Sequence, residues 1–214
     1  MIRGYIFDMD GVLCDSEAFI AEAAMRMFHE RYGVEVLAED FVPFVGAGED
    51  RYLAGVAEKY GIRLRLADDK RETYRLYGEC VRGRLKPLPG VKEFIYCARN
   101  KGLRLAVATS ADETKLMVNL REIGLDPALF DALVNGLDIA HKKPAPDIFL
   151  EAARRLELDP AECIVFEDAI NGIQAAQAAG ARSIGITSSF PGSLLLEAGA
   201  EAVFPHFESL APPG

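Results

Sequence analysis

Short, uninterrupted runs of apolar residues alternate with amphipathic stretches along most of the chain after position 85. Such runs are typical of strands buried on both faces of a sheet, and apolar residues three or four positions apart are typical of the helices that cover it. Gly102, Gly124 and Gly180 stand where helices are expected to end. The predicted strands are an apolar run at the start of the chain and residues 103–108, 132–134, 163–166, 183–186 and 202–204; the predicted helices are residues 91–100, 112–123, 147–156 and 169–179.

The segment 15–82 has a different pattern. Residues 17–32, 50–60 and 68–82 show the spacing of helices, and no convincing strand pattern separates them. A proline-rich stretch at 86–90 then returns the chain to the alternating pattern. We predict an α/β protein: a Rossmann-like parallel sheet core with helices on both faces, plus an inserted α-helical cap domain. The core is predicted to comprise residues 1–14 and 83–214, and the cap residues 15–82.

The composition is that of an ordinary globular protein, with 214 residues of which 50% are hydrophobic and 27% charged. The net charge of −9 argues against nucleic acid or an anionic membrane as a partner, because both attract basic surfaces. No apolar run approaches the roughly 20 residues of a membrane span, and the N-terminus lacks the pattern of a signal peptide. We therefore expect a cytoplasmic protein that acts on a small molecule, with a monomer as the default state and a weak homodimer as the alternative.

Two aspartates, Asp8 and Asp10, follow the first apolar run directly and are succeeded by Gly11. Carboxylates are rarely buried unless they are paired or bound to a metal, so an acid pair at the end of a buried strand suggests a functional site. The alternative is an ordinary solvated turn, since Asp-Gly is a common turn dipeptide.

Polar residues also follow the other predicted strands: Thr109 and Ser110, Lys143, and the pair Glu167 and Asp168. Taken singly, each has a structural explanation as a helix N-cap or a surface lysine. In an open α/β sheet, however, ligands bind at the carboxyl ends of the strands, and a parallel sheet brings those ends together. The joint occurrence at successive strand ends therefore predicts one site.

These residue types suit phosphoryl transfer. Carboxylates held close together repel one another unless a cation lies among them, and oxygen ligands favour Mg²⁺. Thr109 can donate a hydrogen bond to a phosphate oxygen, and the Lys143 ammonium can pair with phosphate and carboxylate alike. One aspartate can attack phosphorus to form an aspartyl-phosphate, while a neighbouring aspartate moves the proton.

The order and spacing of these motifs resemble the haloacid dehalogenase-like (HAD-like) hydrolase superfamily, in the helical-cap branch of β-phosphoglucomutase- and phosphoglycolate phosphatase-like enzymes. The resemblance covers essentially the whole chain. The motifs that carry it are Asp8-x-Asp10-Gly11-Val12 with Asp15-Ser16-Glu17, then Thr109-Ser110, Lys143-Pro144-Ala145-Pro146-Asp147, and Glu167-Asp168 with Asn171-Gly172-Ile173.

The resemblance implies a role for each site residue. Asp8 would be the nucleophile, and Asp10 the general acid and base, with its main-chain carbonyl turned to Mg²⁺. Thr109, Lys143 and the amide of Ser110 would hold the phosphate. The metal ligands it implies are Asp8, Asp10, Asp168 and Glu167, the last either directly or through a neighbouring ligand.

The same resemblance separates subclasses. Asp10 favours phosphate esters, because dehalogenases of the superfamily lack it and phosphonate-cleaving relatives usually have alanine there. A β-phosphoglucomutase-type phosphosugar mutase is the main alternative, but such mutases carry a histidine where this chain has Ile20. They also carry an arginine in the cap loop that here spans residues 45–51, with Glu49 nearest that place and Arg51 expected on a solvated helix face.

We therefore predict a Mg²⁺-dependent HAD-like phosphatase, a phosphoric monoester hydrolase of small phosphorylated metabolites, with sugar phosphates as the first candidates. A non-catalytic protein that binds a phosphorylated metabolite is the remaining alternative. The leaving group is expected to contact the cap, where the candidate residues are Phe19, Phe44, Gly46–Arg51, Tyr74 and Tyr77.

Overall fold

The computed structural model describes residues 1–46 and 48–210. Its centre is a six-stranded sheet in which every neighbouring pair of strands is parallel. The strands are β1 (Gly4–Phe7), β2 (Arg104–Ala108), β3 (Ala132–Val134), β4 (Cys163–Glu167), β5 (Arg182–Ile186) and β6 (Ala202–Phe204). Their spatial order is β3-β2-β1-β4-β5-β6, which confirms the predicted Rossmann-like α/β class.

Helices precede or follow most of the strands. They are α1 (Glu17–Tyr32), α2 (Glu49–Tyr60), α3 (Leu66–Val81), α4 (Val91–Asn100), α5 (Glu113–Ile123), α6 (Asp147–Leu156), α7 (Ile170–Ala178) and α8 (Gly192–Glu197). Every predicted strand and helix after the first run is present within two residues of its predicted bounds. The sequence pattern missed α8 and the short 3-10 helices, since such short segments barely show a helical period.

The sheet is buried on both faces. Tyr5 and Phe7 point to one side and Ile6 to the other, as the alternation of side chains along a strand requires. On the first side, Phe7 stacks on Phe166 with ring centroids 5.0 Å apart. On the second side, Ile6 belongs to a cluster that includes Phe149 of α6. The near-continuous apolar strands seen in the sequence are thus explained by helices on both faces.

The segment between β1 and α4 is helical, as predicted. Helices α1 and α3 pack together, and Ile20, Phe28 and Tyr52 join the same apolar cluster as Phe7 of the sheet. The boundaries 1–14, 15–82 and 83–214 stay a prediction, and Ala47 of the cap loop and residues 211–214 of the predicted core lie outside the described residues. Within the described part of the chain, no helix has the length and apolar character needed to cross a membrane.

The strand order places β2, β1 and β4 side by side in the middle of the sheet. Phe7, the last residue of β1, is in register with Val107 on one side and Phe166 on the other. The residues that follow these strands therefore emerge next to one another at the carboxyl edge, where the predicted site lies.

Candidate active site

The carboxyl ends of the central strands open into a cavity of about 460 Å³. Helix α2 and the 3-10 helix Ala38–Phe44 before it also line this space, so the helical segment between β1 and α4 and the sheet both contact it. Its volume is typical of a site for a small ligand. The predicted catalytic, phosphate-binding and metal-binding residues all line this cavity: Asp8, Asp10, Thr109, Ser110, Lys143, Glu167 and Asp168. Of the predicted cap contacts that the structure describes, Phe44, Gly46, Gly48 and Glu49 line it, whereas Phe19, Asp50, Arg51, Tyr74 and Tyr77 do not.

Asp8 begins a tight turn directly after β1. Its amide donates to the carbonyl of Phe166 at 3.0 Å, which continues the pairing of β1 with β4 by one residue. The chain then reverses, with the Gly11 amide donating to the Cys14 carbonyl at 2.8 Å. Gly11 has a φ of +78°, and a Cβ there would collide with the Asp168 carboxylate, so both the backbone and the space require glycine.

Lys143 lies in the loop between β3 and α6 and crosses to the end of β1. Its Nζ is 2.6 Å from Oδ1 of Asp8 and also pairs with Oε1 of Glu167. The Lys143 side chain is only 5% exposed. The other oxygen of Glu167 accepts the amides of Asp168 and Ala169, both at 2.9 Å. Glu167 is therefore fully engaged within the protein and holds the lysine in place.

Burial and mutual repulsion dominate the electrostatics of the acids. Burial raises the pKa of Asp8, against the lowering effect of Lys143, and the nearby Glu167 and Asp10 raise it further. Burial also raises the pKa of Asp168, and Glu167 and Asp8 add to this. Lys143 alone cannot neutralise the charges of Asp8, Glu167 and Asp168. A bound metal cation would therefore stabilise the ionised forms of these carboxylates.

The end of β2 supplies two hydroxyl groups. Thr109 is 1% exposed, and its Oγ1 accepts the amide of Ala111 at 3.1 Å. The hydroxyl of Ser110 is buried at the cavity and has no hydrogen-bond partner in the described structure. Buried polar groups nearly always have a hydrogen-bond partner. An unpaired hydroxyl at a cavity is therefore free to bond to an incoming ligand.

Asp10 is held by three side chains that were not among the predicted site residues. Its carboxylate accepts Lys115 Nζ at 2.9 Å, Asn119 Nδ2 at 3.3 Å and the hydroxyl of Ser16. Tyr77 of α3 donates in turn to Asn119 at 2.5 Å. Ser16 belongs to the Asp15-Ser16-Glu17 motif of the sequence. Lys115 and Asn119 stand four residues apart on α5, a spacing that is typical of the polar, solvent-exposed face of a helix.

Two serines after β5 were also missed. The Ser189 hydroxyl donates to Oδ2 of Asp168, and the Ser188 hydroxyl donates to the carbonyl of Gly11 at 2.5 Å. Both serines line the cavity. Like Thr109 and Ser110 after β2, they closely follow a strand of the sheet, and this position is the signal in the sequence that points to them.

The predicted metal ligands do not all turn toward one point. Within residues 1–46 and 48–210, no three His, Cys, Asp or Glu side chains are arranged to hold a metal ion. The carboxylate of Asp10 is bound by Lys115, and that of Glu167 by Lys143. Asp8 is itself paired with Lys143, so the metal roles of the four residues stay a prediction.

The comparisons with known proteins agree with this geometry. A family model described as haloacid dehalogenase-like hydrolase matches residues 2–180. The chain belongs to the haloacid dehalogenase-like hydrolases. Family membership confirms the resemblance inferred from the motifs and the prediction of a hydrolase.

Individual relatives in this family cover nearly the whole chain. The chain is 42% identical over 207 residues to the protein SUPPRESSOR OF QUENCHING 1, chloroplastic, of Arabidopsis thaliana; the match covers 94% of this chain but only 19% of that protein. It is 35% identical over 204 residues to the phosphorylated carbohydrates phosphatase of Thermotoga maritima, with 94% of each covered. The solved structure of CbbY from Rhodobacter sphaeroides in complex with phosphate is similar, with a TM-score of 0.84, 28% identity, and coverage of 99% of this chain and 97% of that one.

Proposed function

We propose that this chain is a Mg²⁺-dependent phosphatase of small phosphorylated metabolites, with sugar phosphates as the first candidates. The observation that carries the proposal is the buried ion pair of Asp8 and Lys143, 2.6 Å apart in the cavity. The lysine favours the ionised carboxylate that attacks phosphorus, and its ammonium can also bind a phosphate oxygen. The Thermotoga maritima relative is named for action on phosphorylated carbohydrates, which supports sugar phosphates.

The reaction takes place in two steps. In the first, a carboxylate oxygen of Asp8 bonds to phosphorus as the ester P–O bond breaks, and the departing alcohol oxygen takes a proton from Asp10. In the second, Asp10 takes a proton from water, whose oxygen bonds to phosphorus while the bond to Asp8 breaks. Inorganic phosphate leaves. Thr109, Ser110 and Lys143 hold the phosphoryl oxygens during both steps.

The donor atoms available at this end of the cavity are oxygens, the chemistry that suits Mg²⁺. The Asp8 and Asp168 carboxylates and the main-chain carbonyl of Asp10 are oxygen ligands, which Mg²⁺ prefers. Glu167, engaged by Lys143 and two amides, contributes by orienting the lysine. When bound, the ion supplies positive charge that offsets the entry of a phosphate group into an acidic cavity.

Removal of divalent metal is expected to lower phosphate release by more than about 100-fold, and added Mg²⁺ to restore it. The measurement is phosphate release from a panel of phosphate monoesters, with and without excess EDTA. The thermal midpoint in EDTA serves as the control for folding. Full activity in EDTA would contradict the metal dependence, and inertness across the panel with Mg²⁺ would favour the non-catalytic binding protein instead.

The alternative of a phosphosugar mutase requires a cation in the cap to hold a second phosphate. Arg51 is exposed on α2, pairs with Glu58 at 2.9 Å and lies 4.9 Å from the ring centroid of Phe44. It does not line the cavity, whereas Glu49 does. These contacts favour hydrolysis over transfer to a second hydroxyl.

We expect hydrolysis of glucose 1-phosphate or glucose 6-phosphate to outrun their interconversion, even with a glucose bisphosphate added. Phosphate release and isomer formation can be followed in the same reaction by ³¹P NMR. Isomerisation faster than phosphate release would favour the mutase. The matched control is Arg51→Gln, which leaves both rates unchanged if Arg51 has only its surface role.

A further inference from the structure

One face of helix α5 is polar and yet buried. Lys115 and Asn119 lie one turn apart on this face; the Lys115 side chain is only 4% exposed, and Asn119 is fully buried. Glu113 and Arg121 of the same helix are exposed. Burying an ammonium and an amide costs free energy unless both are bonded, so this pair needs partners outside its own helix.

The shared partner is the carboxylate of Asp10, which lines the cavity and whose side chain is 27% exposed. Lys115 Nζ donates to Oδ2 at 2.9 Å, whereas Oδ1 accepts Asn119 Nδ2, at 3.3 Å, and the Ser16 hydroxyl. Each carboxylate oxygen accepts about two hydrogen bonds. Oδ1 is therefore fully bonded within the protein, and Oδ2 keeps one position for a ligand or a water molecule.

Contacts from the helical segment between β1 and α4 hold both donors in place. Tyr77 of α3 donates to Oδ1 of Asn119 at 2.5 Å, which leaves Nδ2 to donate to Asp10. Nζ of Lys115 lies 5.8 Å from the centroid of the Tyr77 ring and 3.7 Å from Oε1 of Glu49. The two donors are thus fixed by their own helix on one side and by α2 and α3 on the other.

Proton transfer in the proposed reaction requires such a constraint on Asp10. The carboxyl oxygen that carries the proton must lie within hydrogen-bond reach of the departing alcohol oxygen. A misplacement of about 1 Å can cost about 100-fold in rate. Among the described side chains, Ser16 alone would remain as a donor to Asp10 if Lys115 and Asn119 were both removed.

The alternative is a direct bond from Lys115 to the ester, since Lys115 also lines the cavity. Its ammonium already faces the carboxylates of Asp10 and Glu49. Asn119 does not line the cavity, so it has no direct access to a ligand there. The two residues have Asp10 in common, and this favours a role that both exert through that carboxylate.

We propose that Lys115 and Asn119 are positioning residues that fix the Asp10 carboxylate so that it exchanges its proton through Oδ2. In the first step, Oδ2 gives its proton to the departing alcohol oxygen as the ester P–O bond breaks. In the second, Oδ2 takes a proton from water as the water oxygen bonds to phosphorus and the bond to Asp8 breaks. This inference rests on the proposed function, in which Asp10 is the general acid and base.

The test compares two esters whose leaving groups differ in their need for a proton. p-Nitrophenolate leaves without one near neutral pH, whereas an alkoxide must be protonated as it leaves. The alkyl ester is whichever of glucose 6-phosphate, fructose 1-phosphate and glycerol 3-phosphate the wild type hydrolyses fastest. In Lys115→Met and in Asn119→Ala, the ratio of kcat/KM for the alkyl ester to that for p-nitrophenyl phosphate is expected to fall by about 10- to 100-fold. Effects on metal and phosphate binding act on both esters and cancel in the ratio.

A cycle with Asp10→Asn shows whether the two residues act through Asp10. Asp10→Asn should itself lower the ratio, and adding Asn119→Ala to it should lower the ratio no further. A further fall would overturn the inference, because Asn119 would then act by another route. Lys86→Met and Asn100→Ala make the same changes at exposed residues and should leave the ratio unchanged. The thermal midpoint of each variant shows that it is folded, and Asn119→Ala carries the test if Lys115→Met does not fold.

Other outcomes separate this inference from the proposed function. If Asp10→Asn lowers the ratio but Lys115→Met and Asn119→Ala do not, the positioning role is wrong and the phosphatase stands. An equal rise in KM for both esters in Lys115→Met, with the ratio unchanged, would also overturn it, in favour of a direct bond to the phosphate. A wild-type ratio in Asp10→Asn would remove the acid role of Asp10, and the inference with it. If the wild type releases phosphate from none of these esters, the proposed function and the inference both fail.

Discussion

Replacing Asp8 with asparagine is expected to abolish turnover, with kcat for phosphate release lowered by about 10,000-fold or more. The change keeps the size and shape of the side chain but removes the charged oxygen that bonds to phosphorus. The amide oxygen can still accept a hydrogen bond from Lys143, whose Nζ is 2.6 Å from Oδ1 in the wild type. The loop that carries the lysine should therefore keep its place, and the loss should be one of chemistry.

Two measurements show whether Asp8 is the group attacked. Intact-protein mass after an acid quench should reveal a phosphorylated wild type and no adduct in Asp8→Asn. Asp68→Asn makes the same change at a side chain that is 47% exposed and paired with Arg71, and it should keep full activity. Turnover in Asp8→Asn comparable to that of the wild type would show that another group attacks phosphorus.

The central part of the site could be predicted because it follows directly from the sheet. Asp8, Thr109 and Asp168 stand within one residue of the strands β1, β2 and β4, and apolar runs mark those strands clearly in the sequence. Once the sheet is known to be parallel, residues at these places must meet. Lys143 follows β3 at a greater distance along the chain, and only its joint occurrence with the acids suggested a role.

The surroundings of Asp10 could not be predicted in this way. Lys115 and Asn119 share a face of α5 that is polar at helical spacing, which usually means contact with water. Here that face is buried, with Lys115 only 4% exposed, because Tyr77 of α3 packs over it from a distant part of the chain. The spacing of polar residues along α5 shows that one face of the helix is polar. It does not show which distant segment of the chain packs against that face.

The second large effect is expected from Lys143→Met, which removes the buried positive charge between two acids. Nζ of Lys143 pairs with both Asp8 and Glu167, whose side chains are 10% and 1% exposed. Without the lysine these carboxylates lose their compensating charge inside the protein, which typically costs about 3–5 kcal/mol of stability. Phosphate release should fall by more than about 100-fold, since the phosphate loses its main cationic partner.

The loss of stability in Lys143→Met should depend on pH in a defined direction. Lys143 lowers the pKa of Asp8, so its removal raises that pKa further above the ordinary value of 3.8. A carboxyl whose pKa is higher in the folded than in the unfolded state binds more protons when folded, so ionisation destabilises the protein as the pH rises. The free energy of unfolding, measured with urea, should therefore fall further below that of the wild type at pH 8 than at pH 5.5.

Two further variants test whether the pH dependence of the stability loss comes from the charge of Lys143. Lys142→Met removes a neighbouring lysine whose Nζ donates to the carbonyls of Ser110 and Gly136, at 3.3 and 2.5 Å, so its effect on stability should not vary with pH. Adding Glu167→Gln to Lys143→Met should recover part of the stability at pH 8, because one of the uncompensated carboxylates is gone. Phosphate release should not recover, because the amide supplies no cation for the phosphate.

The loss of unfolding free energy in Lys143→Met could instead be equal at both pH values. That result would mean that the lysine acts by packing, and the electrostatic account of the site would be wrong.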